Sequence, residues 1–328
     1  MYAWQCAEPT GVDALRWAET TTPAPGPGEA RVAIRAASLN FPDLLVVQGK
    51  YQVKPAPPFV PGAEFSGVVE ALGEGVTHLG IGQPVMSVAV TGAFATHACT
   101  SAERLVPAPP GMPFEDAAAF LMTYGTSHHA LVDRAALKAG ETVLVLGAAG
   151  GVGTAAVQIS KAAGARVIAA VSTDEKATLC RSIGADEVIN YSTSGLRDPL
   201  KALTAGRGPD VIYDPVGGSV AEPAFRSIAW RGRYLVVGFA QGDIPSLPLN
   251  LPLLKGASLV GVYWGDFVRR EPVAFARSLT ELGRWYGGGR IKPVLDRILP
   301  MGQLGEAFAR MATRQALGKI VLINAPAA

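Results

Sequence analysis

Val143-Leu144-Val145-Leu146-Gly147-Ala148-Ala149-Gly150-Gly151-Val152-Gly153 is the stretch on which the fold turns. Its first four residues are apolar without alternation, the pattern of a strand buried on both faces. A glycine-rich turn follows, then a helical stretch over 152–163 closed by Gly164. A strand, a tight glycine turn and a helix N-terminus together let backbone amides approach a pyrophosphate, which the partial positive charge of the helix end favours. In strict G-x-G-x-x-G register the first position is Ala148, so the strand before and the helix after weigh more than the glycine spacing. The amides of Ala149, Gly150, Gly151, Val152 and Gly153 are the candidate phosphate cradle. The alternative is a glycine turn that only packs a helix on a strand.

Downstream, strands at 166–171, 187–189, 210–213, 233–237 and 258–262 alternate with helical stretches, one of them running from Thr173 to Arg181. That alternation predicts a doubly wound parallel sheet with its ligand at the point where strand order reverses. Upstream the chain changes character. Prolines crowd the first 113 residues and are absent from Phe114 to Asp198. Proline is excluded from helix interiors and central strands. Short strands at 31–36, 64–72, 84–88 and 93–100, separated by Gly/Pro turns, read as a partly open β-barrel. Helices are expected from Phe114 and from Thr126 to Arg134.

The bulk properties narrow the function. The chain of 328 residues carries 29 Lys+Arg against 27 Asp+Glu, a formal charge of +2. Such balance speaks against nucleic acid or an anionic membrane as partner. With 49% hydrophobic and 17% charged residues the chain has the material for a large core. No uninterrupted apolar run reaches the roughly 20 residues of a membrane span, and Met1 to Gln5 lacks the pattern of a secretory signal. Cys6, Cys99 and Cys180 lie too far apart in sequence for a metal cluster or a disulfide framework, which fits a reducing, cytoplasmic compartment.

The strand over 166–171 ends at Ser172, where an NAD site usually carries Asp or Glu for the ribose 2′-hydroxyl. A hydroxyl there, with Lys176 four residues on, accommodates a 2′-phosphate. Asp174 and Glu175 act against that reading, and Lys176 can equally be a solvated helix lysine.

Taken with Asn40-Phe41-Pro42-Asp43, Pro61-Gly62-Ala63-Glu64-Phe65-Ser66-Gly67, Gly184-Ala185-Asp186, Ile189-Asn190-Tyr191, Asp214-Pro215-Val216-Gly217-Gly218 and Gly318-Lys319, the chain resembles the medium-chain dehydrogenase/reductase superfamily. Within it the resemblance is to the zinc-free quinone oxidoreductase branch, the zeta-crystallin-like proteins. It implies an α/β protein: a GroES-like, partly open β-barrel domain over 1–122 and 266–328, and a Rossmann domain over 123–265. It implies NADPH as cofactor, with Lys176, Tyr191 and Arg314 at the 2′-phosphate. Thr126 and the strand end Val237-Gly238-Phe239 are implied near the nicotinamide, and Asn40 and Val216 among the other cofactor contacts.

Zinc-dependent members carry a Cys where this chain has Asn40 and a His where it has Ala63, so no metal is expected. His78, His97, His128 and His129 offer no convergent set; the last two are adjacent on a helix and face different ways. Hydride chemistry then belongs to the cofactor, and the protein orients and supplies any proton. Tyr51, eleven residues after Asn40, matches a tyrosine near the reacting double bond in related 2-enoyl thioester reductases. Its phenol can stabilise a developing enolate or phenolate oxygen; as an alternative it packs on the barrel. Asn40 is the second catalytic candidate. Asp43, Tyr124 and Trp264 are expected at the substrate; as alternatives, Asp43 is a turn residue that orients its neighbours and the two aromatics belong to the core. Leu45 stands where quinone-type members often have a second tyrosine, which makes that side of the pocket more apolar and favours an alkenal or acyl acceptor.

The sequence therefore predicts an NADPH-dependent, zinc-independent reductase of a small molecule, either a quinone or an activated C=C bond. Enoyl-CoA or acryloyl-CoA reduction is a second enzymatic reading. An NADPH-binding structural or sensor protein without turnover is a third, of another class. The apolar segment Ser258 to Tyr263 is expected at a sheet edge, where an unpaired apolar strand invites a second copy and hence a homodimer.

Overall fold

The computed structural model describes residues 1–325. Its contacts divide into two units, Met1–Met122 with the segment from Leu295 onward, and Thr123–Val294.

The first unit opens with an antiparallel ribbon of β1 (Tyr2–Cys6) and β2 (Leu15–Glu19). β3 (Glu29–Ser38) follows, then a short helix α1 (Phe41–Val47), β4 (Glu64–Leu72), β5 (Pro84–Val88), β6 (His97–Ser101), β7 (Leu105–Pro107) and α2 (Phe114–Ala118). The strands expected at 31–36, 64–72 and 84–88 are present with small shifts in their ends, and the one expected at 93–100 begins only at His97. Helix α1 was not anticipated. Asn40 starts it, with its backbone N–H donating to Asp43 Oδ2 at 2.8 Å, and Pro42 sits in the first turn where a missing N–H costs nothing. β3 alternates Ala30, Val32, Ile34 and Ala36 inward. Ala30, Val32 and Ile34 pack with Phe65, Phe94, Leu39 and Phe308 into the unit's core, and Ala36 packs with Ala118, Ala119 and Val321.

Helix α3 (Leu121–His128) spans the boundary between the units and widens into a π turn over His129–Arg134. The second unit then runs β8 (Thr142–Leu146), α4 (Gly151–Ala162), β9 (Arg166–Val171), α5 (Asp174–Ser182), β10 (Glu187–Asn190), α6 (Tyr191–Ser194), α7 (Arg197–Leu203), β11 (Val211–Asp214), α8 (Ala221–Arg226), β12 (Arg233–Val236), α9 (Asn250–Lys255) and β13 (Ser258–Gly261). All pairings are parallel, in the order β10-β9-β8-β11-β12-β13. Every residue of β8 is buried, as its unbroken apolar run requires. The order reverses between β8 and β11, which is the switch point of a doubly wound sheet.

The chain remains with the second unit through α10 (Trp264–Arg270) and α11 (Pro272–Gly287). This corrects the expected return at residue 266. The reason is tertiary: His128 Nε2 lies 3.0 Å from Glu281 Oε2, and the Tyr124 hydroxyl meets the Lys292 carbonyl at 2.7 Å. These contacts tie the segment back to α3. The first unit is completed by β14 (Leu295–Pro300), α12 (Leu304–Ala312) and β15 (Lys319–Ile323), with β15 pairing both β14 and β3. The last residues of the expected domain, 326–328, lie outside the described ones. Among the described residues, no helix is long and apolar enough to cross a membrane, and Cys6, Cys99 and Cys180 are free thiols.

Candidate functional site

In the second unit most of the expected cofactor residues gather at the carboxyl ends of five neighbouring strands, β10, β9, β8, β11 and β12. The turn after β8 begins at Gly147, whose φ of 59° lies in the left-handed region open to glycine. It closes with Gly150 N donating to Gly147 O at 3.0 Å. A Cβ on Gly153 would stand 2.2 Å from that same carbonyl and 2.8 Å from the Ala148 backbone, so only glycine lets α4 start this close to the strand. Gly150 differs: a Cβ there would meet nothing nearer than 3.4 Å, leaving its outer face open to a ligand. Ala148, which breaks the glycine register, and Ala149 beside it are both buried. Ser127 Oγ donates to Val152 O at 3.0 Å and pairs with Tyr213 Oη at 2.9 Å. That contact fixes α3, and with it the half-buried Thr126, beside the turn.

After β9, Ser172 is followed by Thr173, which caps α5 by accepting from Lys176 N at 3.3 Å. The Lys176 ammonium folds back to 3.4 Å from Ser172 Oγ. Asp174 Oδ1 accepts from Asn190 Nδ2 at 2.9 Å, so its charge is engaged with β10. Tyr191 opens α6 with its ring on the unit's core. After β11, Asp214 Oδ1 accepts from Val216 N at 2.7 Å and Gly217 N at 2.9 Å, while Tyr234 donates its hydroxyl to Oδ2. Burial raises the Asp214 pKa, against the pull of these donors. Asp214 thereby fixes the loop that carries Val216; the Asp-Pro-x-Gly-Gly run was its sequence signal. After β12, Gly238 N reaches Asp214 O at 3.3 Å, and Phe239 packs against Gly217.

The first unit holds a buried charge network. Lys319 opens β15 and is 4% exposed. Its ammonium donates to Asn40 Oδ1 at 2.6 Å, Leu39 O at 2.8 Å and Glu64 Oε2 at 3.2 Å. Glu64 Oε2 also accepts from Ser38 Oγ at 2.9 Å and Asn40 Nδ2 at 3.1 Å, and Oε1 accepts from Met122 N at 2.8 Å. Burial lowers the Lys319 pKa, and the charges of Glu64 and Asp43 oppose that. Burial also raises Asp43 to about 7, partly offset by the Asn40 N–H and the Lys319 charge. Two carboxylates and one ammonium in a dry site leave a net negative charge, which a proton on Asp43 cancels.

This geometry revises several expectations. Asp43 is 1% exposed and its carboxylate serves the start of α1, which is the orienting role of a turn residue. Tyr124 is 1% exposed, with its hydroxyl taken up by Gln158 and the Lys292 carbonyl. Trp264 is 8% exposed and packs over Gly125 and edge-on to Phe275. Both aromatics are core members. Asn40 is engaged at both ends of its amide, which makes it a part of the network and not an outward-facing group. Tyr51 lies half-buried in the loop after α1, and Arg314 is exposed at the left-handed residue that ends α12, φ 58°. His128 and His129 are buried, the latter stacked on Phe267 at 4.0 Å between centroids.

A sheet with a glycine turn at its switch point, joined to a GroES-like barrel, defines a dinucleotide-dependent oxidoreductase. Comparisons with known proteins agree. Residues 26–110 match the alcohol dehydrogenase GroES-like domain, and residues 151–281 the family described as zinc-binding dehydrogenase. Quinone oxidoreductase-like protein 2 of Mus musculus is 38% identical over 298 residues, 90% of this chain and 85% of that protein. A mycobacterial protein solved in complex with NADPH superposes with a TM-score of 0.92 at 31% identity, over 99% of this chain and 100% of the other. The quinone oxidoreductase of Thermus thermophilus, also solved with NADPH, gives 0.86 at 31%, over 99% and 100%. The chain belongs to the medium-chain dehydrogenase/reductase superfamily, in its zinc-free quinone oxidoreductase branch.

The zinc in the matched family's description does not fit these residues. Among the described residues no group of three or more His, Cys, Asp and Glu could hold a metal ion. The oxygens of Asn40 and Glu64 are occupied by the Lys319 ammonium. A dinucleotide does fit, at the glycine turn and the strand ends beside it.

Proposed function

We propose that this chain is an NADPH-dependent, zinc-independent reductase of quinones or activated C=C bonds. The observation that carries the cofactor preference is the end of β9: Ser172 replaces the acid, Lys176 Nζ stands 3.4 Å from its hydroxyl, and Asp174 is tied to Asn190. The amides of the turn from Ala149 to Gly153 would hold the pyrophosphate, Ser172, Lys176, Tyr191 and Arg314 the 2′-phosphate, and Thr126, Val216, Gly238 and Phe239 the nicotinamide half. When bound, NADPH supplies a hydride to the electron-poor carbon of the acceptor. The phenol of Tyr51 supplies a hydrogen bond to the acceptor oxygen as negative charge develops there, and water or that phenol supplies the proton. Asn40 acts as a positioning residue through Lys319 and Glu64.

The half-buried Leu45 adds apolar surface on α1 and favours an alkenal or acyl acceptor alongside quinones. NADPH oxidation followed at fixed cofactor with a quinone, an enal and crotonyl-CoA separates these acceptors. Turnover of the quinone or the enal supports the reading. Reduction of crotonyl-CoA alone would replace it with the thioester reductase, and binding of NADPH without turnover with a sensor or structural role.

We also propose a homodimer. β13 ends the six-stranded sheet, and Leu259 and Tyr263 at this edge are 42% and 60% exposed. Pairing of two such edges removes unpaired backbone groups and apolar surface from water together. Light scattering at micromolar concentration should report a dimer, and a monomer there would overturn this assignment.

A further inference from the structure

The ammonium of Lys319 is satisfied by three oxygens from three different chain positions: the carbonyl of Leu39, the amide oxygen of Asn40 and the carboxylate of Glu64. A lysine is almost never buried to this degree unless paired. The lysine draws together the end of β3, the first residue of β15, the start of β4 and the start of α1. Through Glu64 Oε1 and Met122 N it also holds the beginning of α3, where the chain leaves the first unit. The consequence for the proposed catalytic tyrosine is direct. Gly49 N closes on Val46 O at 3.0 Å and Lys50 N on Leu45 O at 2.8 Å. Tyr51 therefore follows the end of α1 by a fixed turn, and α1 is fixed at its start by Asn40.

We propose that Lys319 is a positioning residue for Tyr51, acting through Asn40 and α1. This rests on the functional reading above only for its activity readout. The ammonium donates to Asn40 Oδ1 and Leu39 O and so sets where α1 begins, and the helix with its closing turn sets where Tyr51 stands. Displacement of a reacting group by about 1 Å costs on the order of 100-fold in rate, so a modest loosening of α1 is enough to be read.

The test uses two variants of the full chain. Lys319→Met removes the ammonium and keeps the stem, but strands the buried carboxylate of Glu64 and can fail to fold. Lys319→Met combined with Glu64→Gln removes both charges, and the new amide keeps an acceptor oxygen for Met122. Replacement of a buried pair by neutral groups is often tolerated, so the double variant should fold. Hydrogen exchange should then accelerate at least tenfold over residues 40–53 and stay unchanged in β8 and β11. kcat should fall at least tenfold, while the Kd for NADPH moves less than threefold. Unchanged exchange over 40–53 with kcat within twofold of the parent would overturn the proposal and leave Lys319 as a filled core position. If the unmutated protein reduces no acceptor, the functional reading fails, and the exchange measurement alone decides the role of Lys319.

Discussion

Replacing Lys176 by alanine should separate the two nicotinamide cofactors. In the structure the Lys176 ammonium stands 3.4 Å from Ser172 Oγ, and the carboxylate of Asp174 is hydrogen-bonded to Asn190 at 2.9 Å. A phosphate placed beside Ser172 would lie within reach of that ammonium, and Glu175 is exposed on the same turn of α5. A charge-assisted hydrogen bond contributes about 1.5–3 kcal/mol at full strength. Lys176 is half-buried, so solvent screening reduces this to about 1 kcal/mol. At 1.4 kcal/mol per decade that is roughly fivefold in Kd. Alanine keeps the helix propensity of α5, so the change reports on charge and reach and not on the fold. Titration of NADPH and of NADH by quenching of protein fluorescence, at fixed ionic strength, gives both constants. Lys176→Ala should weaken NADPH about fivefold and leave NADH unchanged, and the NADPH effect should shrink at high salt. Equal Kd values for the two cofactors in the unmutated protein would refute the reasoning. So would a variant that weakens both by the same factor, because the lysine would then be acting on something other than the 2′-phosphate.

Stability should fall between about pH 4 and pH 7. Asp43 titrates near 7 in the folded chain, where Glu64 and Lys319 face it, and near about 3.9 unfolded. The folded state therefore holds the extra proton in that window and loses its advantage as pH rises through 7. From pH 5.5 to 8 the loss is about 2 kcal/mol in denaturant unfolding, and Asp43→Asn should flatten that slope; an unaltered slope in the variant would assign it elsewhere. Gly153→Ala should destabilise the second unit by about 1–3 kcal/mol and abolish cofactor binding, because its Cβ would meet the Gly147 and Ala148 backbone. Gly150→Ala is the control, with stability kept within about 0.5 kcal/mol; equal unfolding midpoints for the two variants would show that the close approach at Gly153 is not limiting. Tyr51→Phe should lower kcat on an enal by about 10²-fold, and less on a quinone, with NADPH affinity unchanged. Parent-like kcat on every acceptor would make Tyr51 a packing residue.

The second unit was legible in the sequence because its signals are local. An unbroken apolar run can only be a strand covered on both sides, and a glycine whose Cβ would strike a carbonyl can only be a glycine. The spacing from Val143 to Gly153, the serine that closes the next strand and the alternation of strands and helices therefore placed the glycine turn and the strand ends around it. Asp214 is intermediate: its Asp-Pro-x-Gly-Gly run was visible, but its three donors were not.

What the sequence left open depended on partners far away along the chain. Lys319 lies 255 positions from Glu64 and 279 from Asn40, and no periodicity links them. A lysine opening an apolar strand, Lys319-Ile320-Val321-Leu322-Ile323, reads as a solvated end until β4, on the far side of β3, supplies a carboxylate. For the same reason Asp43, Tyr124 and Trp264 could be read either as substrate contacts or as turn and core residues, since a polar or aromatic residue near a motif has no sequence mark that tells lining from core. The return of the chain at Leu295 instead of 266 was set by His128 with Glu281 and by Tyr124 with Lys292. The residue order thus determined which segments of the second unit are strands, where the glycine turn must lie and which acid is missing from the end of β9. Tertiary structure alone decided which charges are buried together and which side chains are withdrawn into the core, because desolvation and pairing act between groups that only the folded chain brings within reach.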